Sequence, residues 1–152
     1  MNRRKLLAIA TGFFLIGSLT LQAQEKGAWR AASSNARAIT GDIFLADEKL
    51  TINFLSYTMV RIRGLDKAEM SAGFPGSNGQ GSASLYRMDI PASRQFLHKN
   101  SLCGGEDTEW MATYVSGRSL QLAFFSGQKP PVFTPDAISN STDLCGTYSY
   151  AK

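Results

Sequence analysis

Residues 39–64, ITGDIFLADEKLTINFLSYTMVRIRG, decide the fold. Their apolar side chains recur at every second position, which is typical of β-strands with one buried face. The recurring residues are Ile39, Gly41, Ile43 and Leu45 in the first strand and Leu50, Ile52 and Phe54 in the second. A polar turn at 46–49 joins these strands, and a third strand at 57–64 follows almost at once. The stretch therefore predicts an antiparallel β-meander.

The same alternation returns further along the chain and predicts four more strands. They lie at 85–90, 110–115, 120–124 and 145–150. The segment around Trp29 fits either an eighth strand or a helical turn. We therefore predict an all-β fold, a small antiparallel β-barrel of about eight strands joined by hairpins, because closure removes exposed strand edges. A two-sheet β-sandwich is the alternative.

Three segments interrupt the strands. Residues 71–84 are rich in Gly and Ser, so we expect an exposed, mobile loop there. Residues 91–99 predict a short helix, with Pro91 at its first position. Thr134 followed by Pro135 predicts one further turn of helix. The barrel is thus expected to carry one or two short helices.

The first 23 residues differ in character from the rest. A basic head at 3–5 precedes an uncharged, mostly apolar run at 6–21 that is short for a membrane span. This pattern is typical of a secretory signal peptide, with cleavage after Ala23. We predict a signal peptide at 1–23 and a single disulfide-tied β domain at 24–152, with no stable membrane insertion after cleavage. An uncleaved anchor is the alternative.

The charge balance bears on the class of partner. The sequence has 16 Lys and Arg against 12 Asp and Glu, and three of the basic residues belong to the predicted signal peptide. The remaining domain is therefore nearly neutral. Nucleic-acid affinity depends on basic residues that neutralise phosphates. No nucleic-acid partner is predicted.

The two cysteines, Cys103 and Cys145, both lie in the predicted exported domain. Disulfides persist in oxidising compartments, so we expect these two residues to pair in a periplasmic or secreted protein. Two unpaired thiols are the alternative. There is no CxxC spacing, which gives no support to a redox motif or to a zinc site built on cysteine pairs. No cofactor is predicted.

The sequence offers little catalytic chemistry. His98 is the only histidine, and no G-x-S-x-G segment singles out a serine nucleophile. The acidic run at 106–109 contains possible ligands for a hard cation, but neighbouring positions of an extended segment point to opposite sides. We expect a packed or capping histidine and a solvated acidic turn. No catalytic residue, no metal ligand and no enzymatic activity are predicted.

Three arginines form the predicted binding site. Arg61 and Arg63 alternate with Val60 and Ile62 on one strand, and Arg87 lies on the next. We expect the arginines on the solvent side, where their guanidinium groups would bind a carboxylate, a phosphate or an acidic partner. Arginines on outward faces are also ordinary surface residues.

The aromatic side chains are expected to point mostly inward and form the core. The set comprises Trp29, Phe44, Phe54, Tyr86, Trp110, Tyr114, Phe124, Phe125, Tyr148 and Tyr150. The same residues would line a ligand cavity if the barrel were hollow. The sequence favours a filled interior and leaves a calyx as the alternative.

Six short segments carry a resemblance. They are WRA at 29–31, AITGDI at 38–43, LYRM at 85–88, NSLCG at 100–104, LAFFSG at 122–127 and LCGTYSY at 144–150. Together they resemble a group of small exported proteobacterial proteins of uncharacterised function, a resemblance that implies no activity and no site. In general plan the chain is also similar to small periplasmic barrels with one disulfide, such as lysozyme inhibitors, although their inhibitory motifs are absent.

These observations predict a non-catalytic periplasmic or secreted binding module. It would recognise an envelope protein or a cell-wall component through loops at one end of the barrel, and an inhibitor of a cell-wall hydrolase is one concrete form. Two other functions are kept as alternatives. One is a carrier of a small apolar ligand inside the barrel, and the other is a small hydrolase that uses His98.

Overall fold

The computed structural model describes residues 25–77 and 79–152. In this part of the chain eight strands form a closed barrel, and each strand pairs with its neighbours in sequence. The strands are β1 (Gly27–Ala31), β2 (Ile43–Leu45), β3 (Lys49–Ile52), β4 (Leu55–Gly64), β5 (Ser82–Ile90), β6 (Thr108–Ser116), β7 (Ser119–Phe125) and β8 (Leu144–Ala151). All pairings are antiparallel, and β8 closes on β1. The predicted all-β barrel is confirmed, whereas the predicted signal peptide at 1–23 lies outside the described residues.

The Trp29 segment is a strand, β1, and its indole belongs to the barrel interior. The side chain is 1% exposed, and its Nε1 donates a hydrogen bond of 2.8 Å to the backbone oxygen of Glu25. The Lys152 ammonium lies 4.5 Å from the centre of the ring. Both ends of the described chain therefore meet at this residue.

The barrel interior is filled by apolar side chains from all eight strands. Alternate residues of each strand point inward, as the period of two requires. The large members of this inner core are Trp29, Ile43, Leu45, Leu50, Ile52, Tyr57, Met59, Tyr86, Met88, Ile90, Met111, Leu120, Leu122, Phe124, Tyr148 and Tyr150. Burial raises the pKa of Tyr148 to about 12, as expected for a phenol removed from water.

A second apolar cluster lies outside the barrel, over β5, β6 and β7. Two helices, α1 (Lys67–Gly73) and α2 (Pro135–Ser139), lie in the connections that cover it. Phe74 and Phe133 are 0% and 4% exposed in this outer cluster. The two connections pack tightly, since a Cβ added to Gly73 would lie only 2.8 Å from Cδ1 of Phe133.

The segment predicted as an exposed loop, 71–84, is partly helical and partly buried. A capping box begins α1, with the Asp66 side chain accepting from the Glu69 amide and the Glu69 side chain accepting from the Asp66 amide. Phe74, just after the helix, is fully buried because it fills the outer cluster. The prediction was wrong at both ends of the segment, because 71–73 belong to α1 and 82–84 belong to β5.

The prediction of a helix at 91–99 was also wrong. Only Leu97–Lys99 forms a single 3₁₀ turn, and His98 and Lys99 have positive φ values of 55° and 61°. Phe96 is buried in the inner core, so packing rather than helix propensity sets the path of this segment. The helical turn predicted at Thr134 is present as α2, where the Thr134 hydroxyl accepts from the Ala137 amide at 3.2 Å.

The two faces of β4 are the reverse of the prediction. Tyr57 and Met59 point into the barrel, while Val60 and Ile62 are 57% and 49% exposed on its outer side. Inside the barrel, the larger Tyr57 and Met59 side chains lie next to those of the neighbouring strand β5. A shift in register between Arg61 and Arg63 then sends these two arginines to different sides.

The aromatic residues divide among three environments. The predicted inward set was correct for Trp29, Tyr86, Phe124, Tyr148 and Tyr150, which belong to the inner core. Trp110, Tyr114 and Phe125 are buried in the outer cluster instead. Phe44 and Phe54 are 49% and 98% exposed. The alternation alone cannot distinguish these three environments, because several strands of this barrel carry apolar side chains on both faces.

The predicted disulfide between Cys103 and Cys145 is confirmed, with Cα atoms 4.9 Å apart and a sequence separation of 42. It ties the connection between β5 and β6 to the start of β8. We call this end of the barrel the disulfide end. None of the helices within the described residues has the length and hydropathy needed to cross a membrane.

Candidate functional site

An apolar groove opens at the disulfide end, beside β2 and the turn between β3 and β4. Its volume is about 450 Å³. Phe44, Phe54 and Leu97 form its apolar walls, and Asp42 and Asn53 lie at its polar edge. Because both phenylalanines are strongly exposed, the groove presents aromatic surface that no other described part of the chain covers.

Phe54 occupies an unusual backbone conformation. β3 ends at Ile52 and β4 begins at Leu55, so Asn53 and Phe54 alone form the turn. Their φ values, 48° and 64°, are both positive, as in a type I′ turn. Asn tolerates this region, but the second position favours Gly, and a larger L-residue there costs roughly 1–2 kcal/mol. The turn therefore carries its exposed aromatic side chain at a cost in stability.

The third wall of the groove, Leu97, comes from the connection between β5 and β6. This connection packs against the π-helical turn Ala36–Thr40, where Nδ2 of Asn100 donates to the Ala38 carbonyl at 3.2 Å. The disulfide holds the same connection to β8. The wall is thus fixed by a covalent bond as well as by packing.

Basic residues stand in the two turns beside the groove. Arg37 belongs to the π-helical turn and Lys99 follows Leu97, and both are exposed. Asp42, at the edge of the groove, accepts a hydrogen bond of 2.9 Å from the Ala31 amide. Asp42 is thus the charged residue that lines the groove itself, whereas the cations of Arg37 and Lys99 stand in the neighbouring turns.

Of the three arginines of the predicted site, Arg63 and Arg87 lie on the outer side of β4 and β5, and Arg61 lies on the other side. Arg63 forms two hydrogen bonds of 2.7 Å to the Glu69 carboxylate, and this pairing lowers the pKa of Glu69. Arg87 pairs with Glu109 and lies over the ring of Trp110, 4.8 Å from its centre. Arg61 lies on the other side of the strand, where it lines a small polar cavity.

This polar cavity lies at the end of the barrel opposite the disulfide and has a volume of about 80 Å³. Its polar lining comprises Glu25, Lys26, Asp47, Arg61, Tyr86 and Thr113, and Lys26 pairs with Asp47. Sites for drug-sized ligands are usually about 300–1,000 Å³ and largely apolar. The small size and polar lining of this cavity, together with the filled inner core, weigh against the apolar-carrier alternative.

His98 is an ordinary surface residue, whereas the acidic run at 106–109 divides between an exposed turn at 106–107 and the start of β6, where Thr108 is buried and Glu109 is half-buried. His98 is exposed within its 3₁₀ turn, and it makes no side-chain hydrogen bond or ion pair with a described residue. Asp107 accepts from the Ala92 amide at 2.7 Å. Among the described residues, no three His, Cys, Asp or Glu side chains gather in an arrangement that could hold a metal ion.

No protein-family model, curated protein or solved structure matches this chain. Its function must therefore be inferred from the geometry of the groove and the polar cavity. Sequence reasoning missed Phe44, Phe54 and Leu97 as groove residues. The alternation placed Phe54 in the second strand, and only the structure shows that 53–54 is a two-residue turn whose second position lacks the usual Gly.

Proposed function

We propose that the protein is a non-catalytic, exported binding module that recognises a protein of the cell envelope through the apolar groove at the disulfide end. The bound segment would insert one or more apolar side chains between Phe44 and Phe54 and place carboxylates near Arg37 and Lys99. Inhibition of a cell-wall hydrolase is one concrete form of this function.

The observation that carries the proposal is Phe54. Its side chain is 98% exposed, and its backbone has a φ of 64°, so within the folded chain it contributes strain and almost no burial. Strained residues of this kind concentrate at functional sites, where the surroundings hold them in place. Exposed aromatic side chains are also the usual anchors of protein interfaces.

The charges beside the groove favour a protein segment over a glycan. A glycan offers hydroxyl groups, whereas the groove has aromatic and aliphatic walls, and the cations of Arg37 and Lys99 belong to the same turns as its lining residues Thr40 and Leu97. Apolar side chains followed by Asp or Glu match this surface in both respects. For this reason we choose an envelope protein rather than a cell-wall component as the partner.

The compartment follows from the disulfide and from the N-terminal sequence. The bond between Cys103 and Cys145 is consistent with a protein outside the cytoplasm. The basic head at 3–5 and the apolar run at 6–21 supply the export signal. We therefore propose a periplasmic or secreted location.

The first experiment identifies the partner in cells. A photo-crosslinking amino acid is placed at Phe54, and a control carries it at Val132, which is 63% exposed on another side of the molecule. We expect an adduct with an envelope protein from position 54 and none with the same protein from position 132. Equal adducts from both positions, or none from position 54, would contradict the proposal.

The second experiment separates binding from folding. In Phe54→Gly the turn strain is relieved without loss of burial, so we expect the free energy of unfolding to rise by about 0.5–1 kcal/mol. Binding of the crosslinked partner should weaken roughly 30-fold, as for a central interface aromatic. Val132→Ser is the matched control and should leave the affinity unchanged. A Phe54→Gly variant that binds normally would disprove the role of the groove.

A further inference from the structure

The polar cavity at one end of the apolar barrel is lined by four charged side chains, of which Lys26 and Asp47 pair with each other and Glu25 and Arg61 do not. Glu25 precedes β1, and Arg61 occupies an inward position of β4 beside Tyr86 of β5, where the strand reaches the end of the barrel and leaves the Arg61 side chain exposed to solvent. Met59 and Leu45 form the apolar part of the lining. The cavity and the groove lie at opposite ends of the barrel, so a ligand of the cavity is independent of the proposed function.

The Glu25 carboxylate is fixed by two buried hydroxyl groups. Tyr86 donates to one of its oxygens at 2.9 Å and Thr113 to the other at 2.8 Å. Tyr86 is 6% and Thr113 1% exposed, so both donors come from the floor of the cavity. An ionised carboxylate accepts about four hydrogen bonds. Two donors therefore orient the group and leave acceptor capacity free on each oxygen.

The Arg61 guanidinium is held at one edge only. Its Nε donates to Oγ of Ser84 at 3.2 Å, and its two terminal nitrogens find no acceptor among the described residues. Arg61 and Glu25 belong to none of the ion pairs between described residues, so their charged atoms are more than 4.0 Å apart. A guanidinium with both terminal nitrogens available can bind a carboxylate with two parallel hydrogen bonds.

Both charges act on the same phenol. Burial raises the pKa of Tyr86 most, the Glu25 carboxylate raises it further, and the Arg61 guanidinium opposes this effect. Both groups therefore lie close enough to the Tyr86 phenol to act on it electrostatically. An anion alone would be repelled by Glu25 in the cavity, and a cation alone by Arg61.

We propose that this cavity binds a small zwitterion of the α-amino-acid class, with its ammonium group at Glu25 and its carboxylate at Arg61. The volume of about 80 Å³ admits only a short side chain. Met59 and Leu45 provide the apolar contact for a hydrogen or a methyl group. Glycine and alanine fit this description, and leucine is too large.

The test follows the Met59 methyl signal by NMR in protein with ¹³C-methyl methionine, assigned by a Met59→Leu variant. Glycine and alanine are titrated beside acetate, methylammonium and leucine. We expect saturable shifts with glycine and alanine, and affinities at least roughly tenfold weaker for acetate and methylammonium. Acetate binding as tightly as glycine, leucine binding as tightly as alanine, or no shift with any probe would overturn the proposal.

Substitutions test whether Arg61 and Glu25 are the two charged groups that bind the zwitterion. Arg61→Gln and Glu25→Gln should each weaken glycine binding by at least roughly tenfold, and Glu25→Gln keeps an acceptor for Tyr86 and Thr113. Arg63→Gln is the matched control, because Arg63 lies on the same strand but points outward to Glu69, and it should bind normally. The urea midpoint of each variant verifies the fold. Equal weakening in Arg61→Gln and Arg63→Gln would show that the cavity is not the site.

Discussion

The two outer sides of the barrel are built differently. Over β5 to β7 the outer surface is apolar and is covered by α1, α2 and the residues beside them, which bury Phe74 and Phe133. On the outer side of β2 and β4, Phe44, Val60 and Ile62 are also apolar but stay about half exposed. The chain thus covers one side with its own connections and leaves the other available. Exposed apolar surface of this kind is typical of an interaction site.

The largest expected effect compares one phenylalanine from each side. Phe133→Ala removes a buried ring that packs against Phe125, with centroids 5.9 Å apart, and should lower the free energy of unfolding by about 3–5 kcal/mol. Phe44→Ala should lower it by about 1 kcal/mol or less, because half of that side chain is already in water. Urea unfolding measures both. Equal losses would show that the two sides do not differ as described.

The difference between the two sides explains what the sequence could predict. Strand alternation was sufficient for the barrel, because any inward face must be apolar at every second position. It could not assign the faces of β4, where Tyr57 and Met59 compete with Val60 and Ile62 for the interior. Because Arg61 and Arg63 follow Tyr57 and Met59 at alternate positions, periodicity favoured Val60 and Ile62 for the interior, and the pairing with β5 in the structure reverses this choice.

The candidate sites could not be predicted from the sequence for a related reason. The groove combines Phe44, Phe54 and Leu97 from three parts of the chain, and the polar cavity combines Glu25 with Arg61 across the barrel. Such combinations depend on register and on one bulge in β4. The helix α1 was predictable, since Asp66 and Glu69 have the spacing of a capping box.

The next effect concerns the disulfide, which holds the connection that carries Leu97, one wall of the groove. A Cys103→Ser/Cys145→Ser variant should lose up to roughly 4 kcal/mol of stability, the chain-entropy value for a loop closed across 42 residues. Without the disulfide, the connection that carries Leu97 should also open to solvent more often than the segments that cover β5 to β7. Hydrogen exchange measures this, and we expect faster exchange at the Asn100 amide than at the Phe74 amide, relative to wild type. Equal acceleration at both would contradict a local role for the bond.

The smallest effect tests a contact that anchors the covering helix. The pKa of Glu69 is lowered from its ordinary value of 4.5, first by its hydrogen bond to Arg63. A lowered pKa in the folded state means that the pair stabilises the fold above the ordinary value, and that this contribution is lost as the pH falls through the folded-state pKa. Because the Arg63 side chain is 45% exposed, the contribution should be below about 1 kcal/mol.

Glu69→Gln isolates this contribution because Gln can still complete the capping box. We expect a small loss of stability at about pH 7 that shrinks as the pH falls through the folded-state pKa of Glu69, because the wild-type side chain then loses its charge as well. Arg63→Gln should give the same loss, and the double variant should add little to either, since each change removes the same pair. A loss that is larger at low pH would contradict the lowered pKa of Glu69. A loss that is independent of pH would assign the effect to the capping box, so the covering helix would be held by its own first turn rather than by β4.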